Sequence, residues 1–200
     1  MNTSNAFYIS ENDSPSKKEI LKSALKLFTR YGVVGTTIRA IASDAGYTNP
    51  VLFKYFDSKD ALALYIFEQC YLQCLSVLKG ALDKHDTYLF KLREVVGEFA
   101  KLISTQPEAF FFMQENLREF WSKISESTRK HSILAEFRKF MQQGRDEGVV
   151  NSTISIDIQL AALTGFFFQL ARMHYFQEIN LGITARIDEI EAMIIQMFRP

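Results

Sequence analysis

The segment from Thr36 to Phe56 holds the residues whose types and spacing point most clearly to a chemistry, the recognition of duplex DNA. Its sequence, TTIRAIASDAGYTNPVLFKYF, predicts two short helices joined by a tight turn at residues 45–47. This arrangement is a helix-turn-helix, in which the second helix can lie in the major groove of DNA. The sequence therefore predicts a DNA-binding surface near the start of the chain.

Local signals position the two helices of this motif. Thr37 and Thr48 are suited to cap their amino ends, because a threonine hydroxyl can accept a hydrogen bond from a free backbone N–H. Gly46 supplies the positive φ that a sharp turn needs. Pro50 is tolerated in the first turn of a helix, where its missing N–H would have no helical partner.

The rest of the chain holds no arrangement typical of an enzyme or a metal site. His85, His131 and His174 lie on different predicted elements, and none has a cysteine or histidine at metal-ligand spacing. No G-x-S-x-G motif and no phosphate-binding loop is present. We interpret Cys70 and Cys74, four residues apart, as buried hydrophobes; a redox pair is the open alternative. We expect no catalytic residue, no metal and no cofactor.

Charge is unevenly distributed, although the chain as a whole is neutral. Its 200 residues include 23 basic and 23 acidic side chains, so the total charge gives no support for nucleic-acid binding. Between residues 16 and 56, however, seven basic residues stand against two acidic ones, Glu19 and Asp44, a local excess of five positive charges. A basic front and a more acidic remainder fit a DNA-binding head on a body of another role.

The periodicity of apolar residues predicts an all-α protein with about nine helices. Residues 1–15 are polar, lack the signature of a signal peptide, and are expected to form a disordered tail. No apolar run is judged long enough to cross a membrane, so we expect a cytoplasmic protein without a membrane partner. Residues 16–58 form a predicted three-helix domain and residues 59–200 a larger helical body, with helices over 59–82, 88–104, 108–121, 127–144, 156–178 and 184–198.

The motif residues also follow a known family pattern over about a quarter of the chain. The matching positions are Ile20, Ala24, Phe28, Gly32, Thr37, Ile38, Ile41, Ala42, Ala45, Gly46, Leu52, Phe53, Tyr55, Phe56 and the run 58–62. From Ile20 to about Phe67 the chain resembles the DNA-binding domain of the TetR family of bacterial transcriptional regulators. It departs from the commonest pattern at Asn49-Pro50 and at Lys54, which leaves the operator sequence open.

The resemblance implies a homodimer that places two recognition helices in successive major grooves of a palindromic operator, roughly 34 Å apart. Asn49 is then suited to pair with adenine and Lys54 with guanine or phosphate. Thr37, Tyr55 and Lys59 are expected to bind phosphates. The predicted DNA-binding residues are Thr37, Arg39, Tyr47, Thr48, Asn49, Val51, Lys54, Tyr55 and Lys59.

Other interpretations stay open for some of these residues. Arg39 and Lys54 can be ordinary solvated charges, and Tyr47 can simply cover the turn. Leu52, Phe53 and Phe56 are expected in the core of the domain.

The larger body is crowded with aromatic rings, among them the runs 110–112 and 166–168 of three consecutive phenylalanines. A helix can point only some of three consecutive rings into one core, so at least one ring per run needs a second surface. A ligand cavity and a dimer interface are the two candidates, and the family resemblance supports both. An aromatic-lined cavity suits a small apolar or aromatic molecule. The predicted ligand-binding residues are Phe99, Phe112, Trp121, Phe137, Met141, Phe168 and Arg172.

The last two predicted helices carry apolar residues at i, i+3, i+4 and i+7. This spacing predicts a four-helix bundle built with the same helices of a second copy. The predicted dimer-interface residues are Leu163, Phe166, Phe167, Leu170, His174, Ile187, Ile190, Met193, Ile194 and Met197.

These expectations combine into a ligand-responsive DNA-binding regulator, most simply a repressor released from its operator by a small apolar or aromatic molecule. The long helix from Lys59 would transmit the change, through differential affinity of the ligand for two dimer states. An activator or a co-repressed regulator would use the same parts. The alternative from another class is a helical small-molecule carrier or enzyme in which the first three helices are only a scaffold.

Overall fold

The computed structural model describes residue 6 and residues 8–180 and 182–200, and within them the protein is all-α. These residues form eleven α-helices and one short 3₁₀ helix, with no strand. The predicted fold class is therefore confirmed. The helices are α1 Pro15–Gly35, α2 Ile38–Asp44, α3 Asn49–Phe53, α4 Lys59–Leu82, α5 Tyr88–Thr105, α6 Pro107–Glu115, α7 Leu117–Phe120, α8 Glu126–Lys130, α9 Ile133–Asp146, α10 Ile156–Tyr175, the 3₁₀ helix Ile183–Arg186 and α11 Ile187–Phe198.

Two of the predicted helices are each divided in two in the structure. The described residues therefore form eleven α-helices, whereas about nine helices were predicted. The helix predicted over 108–121 is divided at Asn116, whose side-chain amide donates a hydrogen bond to the carbonyl of Phe112. The helix predicted over 127–144 is divided at Ser132, whose hydroxyl accepts from the N–H of Ala135 and starts α9. Both residues compete with the helix through their own side chains.

Packing divides the chain into two compact units. The first contains the chain up to residue 73 together with residues 108–124, and the second contains residues 74–107 and 125–200. The boundary predicted at residue 58 separates the helix-turn-helix from the rest by sequence, whereas packing joins α6 and α7 to the N-terminal helices. Phe28 of α1, for example, stacks on Phe112 of α6 with ring centroids 5.8 Å apart.

The first unit has a core of aliphatic and aromatic side chains from α1, α2, α3 and α4. Ile20, Ile41, Leu52 and Phe67 are among its fully buried members. Such burial supplies most of the stability of short helices like α2 and α3, because helices of that length are marginal alone.

The described part of the predicted tail is folded against this unit. Residues 8–14 form turns, and Tyr8 is buried. Asp13 accepts a hydrogen bond from the Lys17 ammonium at 2.7 Å, and Ser14 caps α1 by accepting from the N–H of Lys17. The structure thus differs here from the disorder expected for residues 1–15; residues 1–5 and 7 of that prediction lie outside the described residues.

The second unit is built on α5, α9, α10 and α11. Phe99 of α5 contacts Phe137 of α9 and Phe167 of α10, with ring centroids 5.9 and 5.0 Å away. Close packing also requires a glycine at position 144 of α9. A Cβ built there would lie 2.5 Å from the Val150 side chain and 2.7 Å from the Tyr88 ring.

The length and composition of helix α4 differ from the expectation that no apolar segment of the chain is long enough to cross a membrane. By length and composition its 24 residues are apolar enough to cross a membrane, which the sequence analysis did not predict. Half of its most apolar window is buried inside the structure. Leu62, Ile66 and Phe67 are fully buried within the first unit, so α4 serves there as a core helix.

Candidate DNA-binding surface

The structure confirms a helix-turn-helix at the predicted place. The Thr37 hydroxyl accepts from the N–H of Ala40 at 3.1 Å and so caps α2. Gly46 has a φ of 77°, as the turn requires, and the N–H of Tyr47 closes the turn on the carbonyl of Ala42 at 2.8 Å. Thr48 starts α3, but its hydroxyl makes no capping hydrogen bond.

Helix α3 turns an inner and an outer face to its surroundings. Leu52 and, just beyond the helix, Phe56 are buried. On the opposite side Pro50, Phe53 and Lys54 are exposed. The prediction that Phe53 belongs to the core was wrong: its side chain is 49% exposed. Successive helical residues point about 100° apart, so Phe53 cannot share the inward direction of Leu52 on a straight helix.

The predicted DNA-binding residues all reach the surface of the first unit, and none of them is buried. The fully exposed ones are Thr37, Arg39, Thr48 and Lys54. The half-buried ones are Tyr47, Asn49, Val51, Tyr55 and Lys59. The sequence analysis did not include Phe53 or Pro50 in this set. The signal that could have found them is their phase relative to the buried Leu52: at about 100° per residue, Phe53 is turned about 100° and Pro50 about 160° away from it.

Tyr55 is held by the amino-terminal end of α1. Its hydroxyl oxygen lies 2.6 Å from the Ser16 hydroxyl and 2.8 Å from the Ser14 hydroxyl. Hydrogen bonds from Ser14 and then Ser16 lower the pKa of Tyr55 from its ordinary value, because donated bonds favour the phenolate. This hydroxyl, predicted to bind a phosphate, therefore first of all joins the end of α3 to the start of α1.

Lys59, the first residue of α4, has a similar contact. Its ammonium donates to the carbonyl of Thr36 at 2.8 Å and to that of Val34 at 3.3 Å. These are backbone carbonyls at the carboxyl end of α1, where four carbonyls lack helical partners and a positive charge is favourable. Two of the three ammonium N–H groups are thus engaged, which leaves one for another acceptor.

The two acidic residues counted between residues 16 and 56 pair with lysines of α1 rather than with Arg39 or Lys54. The acids Glu19 and Asp44 pair with Lys22 and Lys26 at 2.7 and 2.6 Å, and the hydrogen bond from Lys26 lowers the pKa of Asp44. Among residues 8–180 and 182–200, neither Arg39 nor Lys54 forms an ion pair. The exposed charge nearest the outer face of α3 is therefore cationic.

The residues predicted to bind a ligand fall in both compact units. In the first unit Phe112 stacks on Phe28, and Trp121 meets Tyr71 edge-on with centroids 5.4 Å apart. In the second unit the structure brings Phe99 and Phe137 together. The others of that unit are Met141, whose sulfur accepts from the Tyr88 hydroxyl, the half-buried Phe168, and Arg172, which pairs with Glu178 at 2.9 Å.

A cavity of about 280 Å³ lies within the second unit and was not foreseen. Apolar side chains from the start of α5, the α9–α10 connection and α11 surround it. Its lining residues are Tyr88, Leu89, Gly148, Val149, Val150, Ile194, Ile195, Phe198 and Pro200. Of these only Ile194 had a predicted role, as an interface residue, and no local motif marks the others.

The residues predicted for a dimer interface divide into two groups. Leu163, Phe167, Ile190 and Ile194 are buried within the subunit. The group that reaches the surface comprises Phe166, Leu170, His174, Ile187, Met193 and Met197.

An uncovered stripe on α10 was missed by the sequence analysis. Ile158, Ala161, Gly165 and Gln169 follow each other at i, i+3, i+7 and i+11, and all four are exposed. Ile158 is 64% exposed. At Gly165 an added Cβ would have no atom within 4 Å. The stripe is therefore nearly flat and mostly apolar.

Cysteines and histidines offer no further chemistry in the part of the chain that the structure describes. No cluster of His, Cys, Asp or Glu there is suited to hold a metal ion. Cys70 and Cys74 are buried, and burial raises the pKa of Cys74 to about 12. Such a thiol stays protonated and unreactive near neutral pH.

Comparisons with known proteins agree with this arrangement. Residues 20–66 match the sequence model of the family "Bacterial regulatory proteins, tetR family". The chain is 40% identical over 191 residues to the uncharacterized HTH-type transcriptional regulator YerO of Bacillus subtilis, covering 90% of this chain and 62% of YerO. The chain thus spans less than two thirds of that relative.

Solved structures of low sequence identity share the fold. The ketosteroid transcriptional regulator KstR2 of Mycobacterium tuberculosis superposes with a TM-score of 0.78 at 17% identity, over 96% of this chain and 97% of KstR2. The transcriptional regulator FadR of Bacillus subtilis, solved in complex with stearoyl-CoA, superposes with a TM-score of 0.70 at 16% identity, over 90% of this chain and 97% of FadR.

Proposed function

We propose that this chain, which belongs through its N-terminal domain to the TetR family of bacterial regulatory proteins, is a ligand-responsive transcriptional regulator. In its simplest form it is a repressor that a small apolar or aromatic molecule releases from a palindromic operator. The observation that carries the proposal is the helix-turn-helix whose second helix, α3, ends at the exposed cation Lys54, with the exposed Arg39 on α2. The relatives are transcriptional regulators, and we assign this chain no catalytic role.

In the proposed complex α3 enters the major groove. Asn49 and Lys54 are placed to contact base edges, and the free hydroxyl of Thr48 is available to a base or a phosphate. Arg39, exposed on α2, reaches the DNA backbone. Lys59 acts first as a tie between α4 and the end of α1, and only its remaining N–H is open to a phosphate.

Dimerisation is proposed through the uncovered stripe of α10 and the exposed side chains of α11. The absence of a side chain at Gly165 allows a second α10 to approach closely, and Ile158 and Met193 supply exposed apolar surface. Apolar burial is the main favourable term in such association. Two copies of α10 and α11 would then form a four-helix bundle, with the two α3 helices roughly 34 Å apart on DNA.

The ligand is proposed to be predominantly apolar. KstR2 is described as a ketosteroid transcriptional regulator, and FadR was solved with stearoyl-CoA. The buried side chains of Phe99, Phe137 and Met141 and the half-buried Phe168 give the interior of the second unit a matching apolar and aromatic chemistry. A ligand acts here only if its affinity differs between the DNA-binding dimer and the released one. A regulator of this kind works in the cytoplasm, where the bacterial chromosome lies.

A DNA-binding titration tests the proposal. Fluorescence anisotropy with the duplex upstream of the protein's own gene is expected to show binding that weakens steeply as salt is raised. Arg39→Ala combined with Lys54→Ala should reduce the affinity and lower the salt slope by about 2 per subunit. The matched control is Lys101→Ala with Lys130→Ala, which removes the same charge from exposed positions elsewhere. Equal behaviour of the two double variants, or no salt-sensitive binding by the folded wild type, would refute the proposal.

A further inference from the structure

Phe53 is an exposed phenylalanine of the first unit, in contrast to the buried phenylalanines around it. Phe28, Phe56, Phe67 and Phe112 of this unit are all buried, whereas half of the Phe53 side chain faces solvent. An isolated exposed ring is common on protein surfaces. This ring, however, stands on the outer face of α3, between the exposed Pro50 and Lys54, where the proposed function places DNA.

The chemistry of the ring restricts what it can read. A phenyl group has no donor or acceptor, so it can pair neither with a phosphate oxygen nor with the hydrogen-bonding edge of a base. The major groove presents one apolar group, the C5-methyl of thymine, and phenylalanine is one of the side chains that contact it. Asn49 lies four residues before Phe53 on the same side of α3, so a hydrogen-bonded base and a methyl contact can be read by adjacent positions of one helix.

We propose that Phe53 is a specificity-determining residue that packs its ring against the C5-methyl of a thymine in each half-site of the operator. This inference rests on the proposed function, since it requires that α3 bind in the major groove. It adds a residue that the predicted DNA-binding set does not contain. Removing one buried methyl group weakens an apolar contact about four-fold, and two symmetric half-sites bring the expected loss to about fifteen-fold.

The experiment begins with an operator selected from a random duplex pool by the wild-type protein. Each thymine of that operator is then replaced by deoxyuridine, symmetrically in both half-sites, which removes the C5-methyl and leaves the base pairing intact. For the wild type, one symmetric pair of positions is expected to reduce the affinity about fifteen-fold. For Phe53→Ala, the unmodified operator should bind more weakly, and the same replacement should have no further effect.

Two variants keep the result interpretable. Phe53→Leu retains apolar volume and should keep a reduced preference for thymine over deoxyuridine at that position. Tyr31→Ala removes another exposed aromatic ring of the same unit, outside α3, and should keep the full fifteen-fold effect. Because the Phe53 ring is half exposed, its truncation leaves little cavity, and circular dichroism confirms that each variant is folded.

Several results would overturn the inference. If the wild type is indifferent to deoxyuridine at every position, or if Phe53→Ala remains as sensitive as the wild type, Phe53 does not read a base, while the regulator function stands. If the selection enriches no sequence at all, the proposed function itself fails and the inference falls with it. The two failures are therefore distinguishable.

Discussion

Helices α3 and α10 both leave one face uncovered, but the chemistry of the two faces is opposite. The outer face of the short α3 carries Lys54 and the ring of Phe53 beside a cationic surface. The stripe on the longer α10 carries Ile158, Ala161 and Gly165 and no charge. An uncovered face that carries an unpaired cation fits a polyanion, whereas an uncharged and mostly apolar face fits another apolar surface. The residues on the open face, rather than the helix itself, therefore indicate the partner.

The two regions also differ in where their polar side chains bind. Around α3, the hydroxyl of Tyr55 and the ammonium of Lys59 both bind to α1, one at each of its ends. On α10, the buried amide of Gln159 accepts from the Arg145 guanidinium of α9 at 2.7 Å and donates to the carbonyl of Asn151 at 2.7 Å. Polar contacts thus anchor the segment after α3 at the two ends of α1, while α10 is held in its unit by this buried amide together with apolar packing such as that of Phe167 on Phe99.

The largest expected effect comes from blocking the stripe on α10. Gly165→Arg introduces a long charged side chain where the subunit itself has no atom within 4 Å of the new Cβ. The subunit should fold as before, but it should elute as a monomer in size-exclusion chromatography with light scattering. Loss of the second recognition helix should weaken operator binding at least about 100-fold.

The matched control for that variant is Gly80→Arg on α4. Gly80 is also exposed and also has open space around an added Cβ. This variant should remain dimeric and bind DNA normally. A dimeric Gly165→Arg protein with full affinity would show that the apolar stripe has another purpose.

Gly144 and Gly165 differ in the space around them. Side chains crowd the position of an added Cβ at Gly144, whereas no atom lies within 4 Å of it at Gly165. In Gly144→Ala the new Cβ meets Val150 and the Tyr88 ring at 2.5 and 2.7 Å. Overpacking of this kind should lower the free energy of unfolding by about 1–3 kcal/mol. Gly80→Ala should instead raise it by up to about 1 kcal/mol, through helix propensity alone. Urea denaturation of the two variants measures both, and an equal or higher stability of Gly144→Ala would contradict the close packing.

Lys59→Met tests whether the polar contacts around α3 stabilise the first unit. The substitution keeps most of the aliphatic chain but removes the hydrogen bonds to the carbonyls of Thr36 and Val34. A hydrogen bond from a charged donor contributes about 1.5–3 kcal/mol. We therefore expect the free energy of unfolding to fall by about 2 kcal/mol. Hydrogen exchange should show faster exchange in α2 and at the end of α1. If stability is unchanged and only the salt slope of DNA binding falls, Lys59 is a phosphate ligand instead.

The smallest effect is expected for Tyr55→Phe. Loss of the hydroxyl bonded to Ser14 and Ser16 should lower the free energy of unfolding only slightly, because these hydrogen bonds lie at the surface. Ser14→Ala with Ser16→Ala should give a similar loss, although removal of the α1 cap adds to it. In a double-mutant cycle the two changes should be non-additive. Additive losses, with a reduced salt slope in Tyr55→Phe alone, would restore the sequence-based assignment of Tyr55 to a phosphate.

Sequence reasoning was most accurate where the signals are local. The cap at Thr37 and the positive φ of Gly46 depend on a few neighbouring residues, and both are found where they were predicted. Phe53 was assigned wrongly because α3 has only five residues, too few for an apolar period to define which side faces inward. The break at Asn116 was missed because it depends on one side-chain hydrogen bond within an otherwise apolar run.

The body of the protein was less predictable because its packing depends on distant residues. The runs of three phenylalanines predicted that some rings would lack a core position, and Phe111, Phe166 and Phe168 are indeed only half-buried. Which of them line a cavity or an interface depends on neighbours far away in sequence. The cavity lined by Tyr88 and Phe198 is formed by segments more than a hundred residues apart in sequence. No residue spacing within one helix therefore indicates it.

The folding of residues 8–14 onto the first unit has a practical consequence for anyone handling this protein. Trimming the chain to Pro15, as is usual for a polar leader, would remove the buried ring of Tyr8, the carboxylate that pairs with Lys17, and one of the two hydroxyls beside Tyr55. A purification tag attached ahead of residues 8–14 would lie on the same unit as α3. Affinities measured on a shortened version would therefore describe a first unit that lacks these contacts, and the untruncated chain is the proper reference.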